Sequence, residues 1–382
     1  MIRSTKALTA SAYIAMFFLG VSGSLVGALA RNIGLSAVEI GLLIAIQNTG
    51  FIIAVSISGA LADSIQKPRL LLVGSLIMAM SLFAFYATDI FWLNMMIMFL
   101  NGAGIGVFEG VTDAMLIDLH EENASLQINV NHFFVTFGSI IIAIFLTYLQ
   151  DDWRQAIVIA GIAVMLLSLL FFISRMEVKP HDTDRYSDRM KVLSREQVIL
   201  YLFAGTILVV GAEAASIGMM TTYLMYIREF TQVTSKIGLT IFLVGIAVGR
   251  LLVGYLTKRE HIIRNLIGMF GLSTIIYGVL YLFDLGTITY GAIFLAGLGI
   301  SAILPLIISL AGVMYSDIAG LVVGAIKIAI PIGGMLIPLL ISFAASRFSL
   351  QAAMIIFPAI FLAGTLLMSY GLRGRRVNAE IL

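Results

Sequence analysis

The stretch "NGAGIG", Asn101–Gly106, has a counterpart in "AGLGIS", Ala296–Ser301, 195 positions further along the chain. The same shift lays Gly50 on Gly245, Gly59 on Gly254, Leu61 on Leu256 and Gly138 on Gly333. One ungapped register running from the second to the fifth apolar stretch marks an internal repeat. The chain reads as two copies of one unit.

Composition says what the unit is made of. Of 382 residues, 60% are hydrophobic and 12% charged, against about a quarter charged in soluble domains. A bilayer span needs about 20 apolar residues. Twelve such stretches occur, at 7–30, 40–62, 70–87, 91–118, 127–149, 155–174, 198–227, 237–256, 262–283, 287–315, 319–346 and 351–372. The expected fold is an all-α membrane protein of two pseudo-symmetric six-helix bundles, 1–174 and 198–382, joined by a polar linker at 175–197. The first stretch reads as a spanning helix rather than a cleaved leader. Placing both termini in the cytoplasm puts 16 basic residues inside and five outside (Arg31, Arg154, Arg228, Lys236, Arg347), which orients a multi-pass protein in the cell membrane. A net charge of +2, with basic residues scattered in short loops, speaks against nucleic acid. With no cysteine there is no disulfide or thiolate metal site. No metal, no cofactor and no enzymatic activity are expected. The sequence has no metalloprotease or phosphate-loop motif, and the repeat sets Ile308, not a second aspartate, opposite Asp113. The expected partners are the lipid bilayer, a small-molecule solute and a proton or sodium ion, with the chain acting as a monomer.

Several motifs resemble the major facilitator superfamily. "GALADSIQKPR", Gly59–Arg69, is similar to its signature at the end of the second helix, matching at Gly59, Leu61, Asp63, Lys67 and Arg69. The corresponding place in the second copy reads "GYLTKRE", with Lys258 opposite Asp63. "GVFEGVTDAMLID" (106–118), "NHFFVTFGSIIIA" (131–143), "VVGAEAASIGMMTTYL" (209–224), "FLVGIAVGRLLVGYL" (242–256) and "GLGISAILPLIISLA" (297–311) resemble the fucose/glucose–proton symporter family. The resemblance implies alternating access, sugar transport and proton coupling. It puts Glu109 on the family's coupling glutamate in the fourth helix and Glu213 on a second glutamate. It implies a gate at the cytoplasmic end with Asp63, Lys67 and Arg69, and Arg250 reads as a structural or gating partner of it rather than a ligand. Where the family has an acidic residue in the first helix this chain offers Ser22 and Ser24, and Val135 replaces a sugar-binding asparagine.

The residues themselves carry part of this reading. A charge at mid-bilayer depth costs roughly 2.5–3.5 kcal/mol or more and is usually functional. Gly102, Gly106, Glu109 and Asp113 are spaced 4, 3 and 4, so they share one helical stripe, expected to face a cavity. Glu109, Asp113 and Glu213 are the candidates for proton coupling. Gln47, Asn48, Glu109, His132, Glu213 and Lys327 are the candidates for binding solute. Amides at Gln47 and Asn48 both donate and accept, which suits hydroxyl groups, and suits packing between helices equally. His132 is the repeat-mate of Lys327, which places two cation-capable residues at equivalent sites. Histidine as a residue type exchanges protons near neutrality, so His132 suits a relay with Asp113. Those two cations also suit an organic anion, so an anion carrier is one alternative and a drug–proton antiporter another. Pro305, Pro331 and Pro338 mark bends in the tenth and eleventh spans.

Overall fold

The computed structural model describes residues 4–35, 37–148, 152–177 and 196–375. Most of the expected linker, 175–197, lies outside the described residues. Hydrocarbon offers the backbone no partner, so a chain this apolar satisfies its amides within helices. Twelve helical segments among the described residues are long and apolar enough to cross a membrane. The protein is therefore a multi-pass, all-helical membrane protein, as the sequence predicts.

The first nine spans are single helices: α1 (Thr5–Ile33), α2 (Ala37–Ala62), α3 (Lys67–Ala84), α4 (Phe91–Leu119), α5 (Ala124–Tyr148), α6 (Trp153–Ile173), α7 (Gln197–Tyr226), α8 (Gln232–Leu256) and α9 (Ile262–Leu282). The last three are broken. The tenth comprises α10 (Thr289–Ser301) and α11 (Ile303–Met314), and the eleventh comprises α12 (Ala319–Lys327) and α13 (Ala329–Arg347). The twelfth comprises α14 (Leu350–Met354) and α15 (Ile356–Gly371). Each break stands three residues before a proline, at Ala302 before Pro305, Ile328 before Pro331 and Ile355 before Pro358. Proline lacks the amide that would bond four residues back, and its ring crowds that carbonyl. Pro338, also expected to bend its span, sits inside α13 without interrupting it.

The chain forms two compact units, the first of Met1–Glu121, Asn131–Arg185 and Tyr315–Ile328. The second takes Glu122–Val130, Tyr186–Met314 and Ala329–Leu382. Two short segments are thus exchanged between the sequence halves, 122–130 and 315–328, and under the 195-residue shift they are counterparts.

The repeat is explicit in the packing. A methyl group on Gly50 would strike the carbonyl of Phe99, and one on Gly245 that of Phe294. Gly102 seats the carbonyl of Gln47, and Gly297 that of Phe242. In both of these pairs the partner in the second unit is the first-unit partner displaced by 195. Close backbone approach through glycine is how helices associate where hydrocarbon supplies no hydrophobic drive. Gly102 and Gly106 of the helix-4 stripe are spent in this way against α2. Polar ties supplement the packing: Gln47 Nε2 donates to Asn101 Oδ1 (2.9 Å), and Asn101 Nδ2 donates to Ser81 Oγ (3.0 Å). The outer faces stay apolar, as at Ile162, Leu166, Leu169 and Phe172 of α6, which suits lipid as solvent.

Candidate functional site

The site grows from α4. Glu109 and Asp113, one turn apart, share a face of this helix, and both are buried. α5 brings Asn131 and His132 to the same place, and α12 brings Lys327 as its last residue. All of these belong to the first unit. Lys327 is fully buried, at 0% exposure. Its Nζ donates to Asp113 Oδ2 at 2.6 Å and to the backbone carbonyl of Glu109. It also stands 2.9 Å from Glu109 Oε1, off the hydrogen-bonding direction, so that this buried oxygen keeps an open acceptor position.

Asp113 is fully committed. Asn131 Nδ2 donates to its Oδ1 at 2.7 Å, while its Oδ2 receives both Lys327 and His132 Nε2, the latter at 3.0 Å. His132 Nε2 faces a carboxylate, so this nitrogen carries the ring proton. Glu109 Oε1 lies 4.0 Å from the same nitrogen. One ligand atom each from Glu109, Asp113 and His132 falls within 4.8 Å of the others, a spacing compatible with a bound metal ion. An ammonium group occupies that neighbourhood instead.

The helix carrying Lys327 is held at both ends. Asp63, just past the end of α2, accepts from the amides of Gly320 (2.9 Å) and Leu321 (3.0 Å), which open α12. A carboxylate at the first turn and an ammonium at the last both match the helix dipole. Gly320 and Gly324, four residues apart, lie against Gly59. The break before Pro331 ends α12 at Lys327. Nearby in sequence to Asp63, Lys67 pairs with Asp118 at 2.6 Å, and Arg69 is exposed.

The second unit has its own ion pair. Arg250 Nη2 lies 3.1 Å from Glu213 Oε1, and Arg250 Nε donates to the carbonyl of Ser301 at 3.2 Å. Pro305 leaves that carbonyl without its helical donor, so the broken tenth span supplies the arginine's second anchor. The remaining polar residues on the face of Glu213 are absorbed by packing. Thr206 bonds back to Leu202, Ser216 meets the Tyr277 hydroxyl at 3.0 Å, and Tyr223 donates to Leu280.

The structure thus brings Glu109, Asp113, His132 and Lys327 together, with Asp63 at the far end of α12, and pairs Glu213 with Arg250. Gln47 is engaged within the bundle, and Asn48 is half-buried. Sequence reasoning missed Asn131 and Thr112, which bond each other at 3.1 Å beside Asp113, and the freed carbonyl of Ser301. An asparagine next to His132 in an apolar run was the available signal for the first. The cluster has no copy in the other half: the 195 shift sets Leu304 and Ile308 opposite Glu109 and Asp113.

Twelve spans in two repeats, with an ionic cluster buried among them, define a membrane carrier. The chain belongs to the Major Facilitator Superfamily, whose sequence profile matches residues 8–326. Members of this family are transporters, and the protein is a transporter rather than an enzyme. It is 22% identical to the glucose/mannose transporter GlcP of Bacillus subtilis (strain 168), across 96% of this chain and 94% of that one. The fold is similar to that of the E. coli fucose:proton symporter FucP, with a TM-score of 0.80 and 18% identity over 97% of this chain and 99% of that one. It is also similar to the human organic anion transporter MFSD10, with a TM-score of 0.75 and 15% identity over 96% and 100% of the two chains. Sugar and anion carriers share the scaffold, so the fold alone does not choose the solute.

Proposed function

We propose that the protein is a sugar–proton symporter of the cell membrane, with both termini in the cytoplasm, working by alternating access of two six-helix halves. The buried cluster of Glu109, Asp113, His132 and Lys327 carries the reading. Counted formally, two carboxylates face one ammonium, leaving one surplus negative charge where burial opposes it. One proton balances the cluster. Asp113 already accepts three hydrogen bonds, so it stays ionised, and Glu109, with an open acceptor oxygen, takes the proton, His132 assisting.

A hexose is the solute favoured by the family motifs and by similarity to a glucose/mannose transporter and a fucose:proton symporter. Glu213, held by Arg250 and still one-fifth exposed at its side chain, is a group left to meet solute hydroxyls. The anion reading has less support, because Lys327 is occupied by two carboxylates. The exchanged segments 122–130 and 315–328 form the cytoplasmic gate, and Asp63 latches the second of them.

Proteoliposomes offered hexoses, small organic acids and lipophilic cations test the solute. Accumulation of a hexose under an inward proton gradient, abolished by a protonophore, is the expected result. Glu109→Gln should keep counterflow, which is exchange without net ion movement, and lose accumulation. Accumulation driven by a sodium gradient and indifferent to the protonophore would replace the proton by sodium.

A further inference from the structure

Around Lys327 the first unit presents the ligand set of a cation site. Glu109, Asp113 and His132 each place one potential ligand atom within 4.8 Å of the others, the histidine joining the set once Nε2 gives up its proton, and the buried oxygens Glu109 Oε1 and Asn131 Oδ1 lack hydrogen-bond partners. What stands there is a side-chain ammonium, 2.6 Å from Asp113 and 2.9 Å from Glu109. We propose that Lys327 is a tethered cation, which fills this site while α12 is docked and yields it to a free cation when α12 withdraws. The proposal rests on the ion-coupled reading above and on no particular solute.

The chain's construction supports the exchange. Lys327 closes a nine-residue helix whose contacts belong to the first unit, and the boundary between the units falls directly after it, between Ile328 and Ala329. The break before Pro331 lies at the same place, so α12 and α13 are joined where the helix is interrupted. Withdrawal of α12 would strip Glu109 and Asp113 of the ammonium, and two carboxylates buried side by side do not both stay ionised without a counter-charge. A cation must enter as Lys327 leaves, and must leave as it returns. Mutual exclusion makes the position of α12 report whether the ion is bound, which is what coupling requires.

Lys327→Ala exposes the vacated site to ions from solution. Purified protein in choline, a cation too bulky for the site, is compared with protein in sodium, methylammonium or zinc, reading the thermal unfolding midpoint. The wild type should be indifferent to these ions. Lys327→Ala should melt lower in choline and rise by about 2 °C or more in at least one of them. The rise should vanish in Lys327→Ala/Asp113→Asn. Lys327→Met/Asp113→Asn, which removes one charge of each sign, should fold in choline and also ignore the ions. A folded Lys327→Ala that no ion shifts overturns the proposal. So does a Lys327→Ala that aggregates in every buffer, whether or not the charge-balanced variant folds, because no free cation would then replace the ammonium. Failure to transport any hexose leaves these outcomes unchanged, so the two readings fail separately.

Discussion

Asp113 is the residue on which the cluster's other polar groups converge. Its oxygens accept from Asn131, His132 and Lys327, with no water-exposed surface to soften the loss of any one. Removing one partner of a buried pair leaves the other charge stranded, at about 3–5 kcal/mol. Asp113→Ala is therefore expected to be destabilised by about that amount, and Asp113→Ala/Lys327→Met to regain much of it, measured by denaturation in detergent. A double variant as unstable as the single one would show that the lysine charge is not what Asp113 compensates. His120, just beyond α4, makes a milder case. Burial pushes its imidazole below the ordinary value of 6.5, and its Nε2 lies 2.7 Å from Thr9 Oγ1. The folded state thus binds fewer protons than the unfolded chain. Its contribution is complete above about pH 6.5 and is lost as the pH falls below that value. His120→Gln should flatten the decline in melting temperature between neutral and mildly acidic pH, and an unchanged slope would exclude this histidine as its source.

At the scale of the element, α12 draws little stability from its own nine residues, since a helix this short does not persist alone. It is held by Gly320 and Gly324 against Gly59, by Asp63 at its start and by Lys327 at its end. Asp63→Asn keeps the shape and removes the charge that the helix dipole favours, worth about 0.3–2 kcal/mol. Turnover should fall while the apparent affinity for solute stays within a few-fold, as judged by initial-rate kinetics. Collapse of affinity with turnover intact would make Asp63 a ligand. Much of this element is legible in the sequence. The superfamily-like signature points to Asp63, and a lysine and carboxylates in apolar runs announce that they must meet partners. The pairing of Lys327 with Asp113 across 214 positions is not legible, because spacing within a helix says nothing about which helices touch. The stripe Gly102, Gly106, Glu109, Asp113 shows the same gap. Its glycines seat α2 and its carboxylates meet Lys327, a division that depends on the neighbours and not on the period. Prolines reveal where a helix is weak, yet Pro338 leaves α13 intact and Pro358 breaks the twelfth span, since surrounding packing decides the response.

At the scale of the whole molecule, the repeat supplies symmetry and the ionic residues break it. Gly59 lies against Gly324 in the first unit, and the displaced counterparts Gly254 and Asn129 meet in the second, so both exchanged segments are seated in equivalent ways. Only the first seating carries the carboxylates and the ammonium. If transport requires both segments to leave their seats and return, fixing one of them must stop the cycle although every binding group remains. The cysteine-free sequence makes this testable without background. A methyl group at position 320 would stand 3.0 Å from Ala62 Cβ, and also 2.7 Å from Asp63 Oδ1 and 2.8 Å from the Gly59 carbonyl, so a cysteine there requires α12 to move slightly outward, toward the usual disulfide Cβ separation of about 3.5–4.5 Å. Ala62→Cys/Gly320→Cys should transport when reduced, stop when oxidised, and recover with reductant, in tracer uptake by proteoliposomes. Each single cysteine should be insensitive to oxidant. Solute binding to the oxidised protein should survive, separating a locked carrier from a damaged one. Undiminished uptake by the oxidised double variant, with the cross-link verified by mass, would mean that α12 stays seated on α2 throughout the cycle and that alternation runs elsewhere in the molecule.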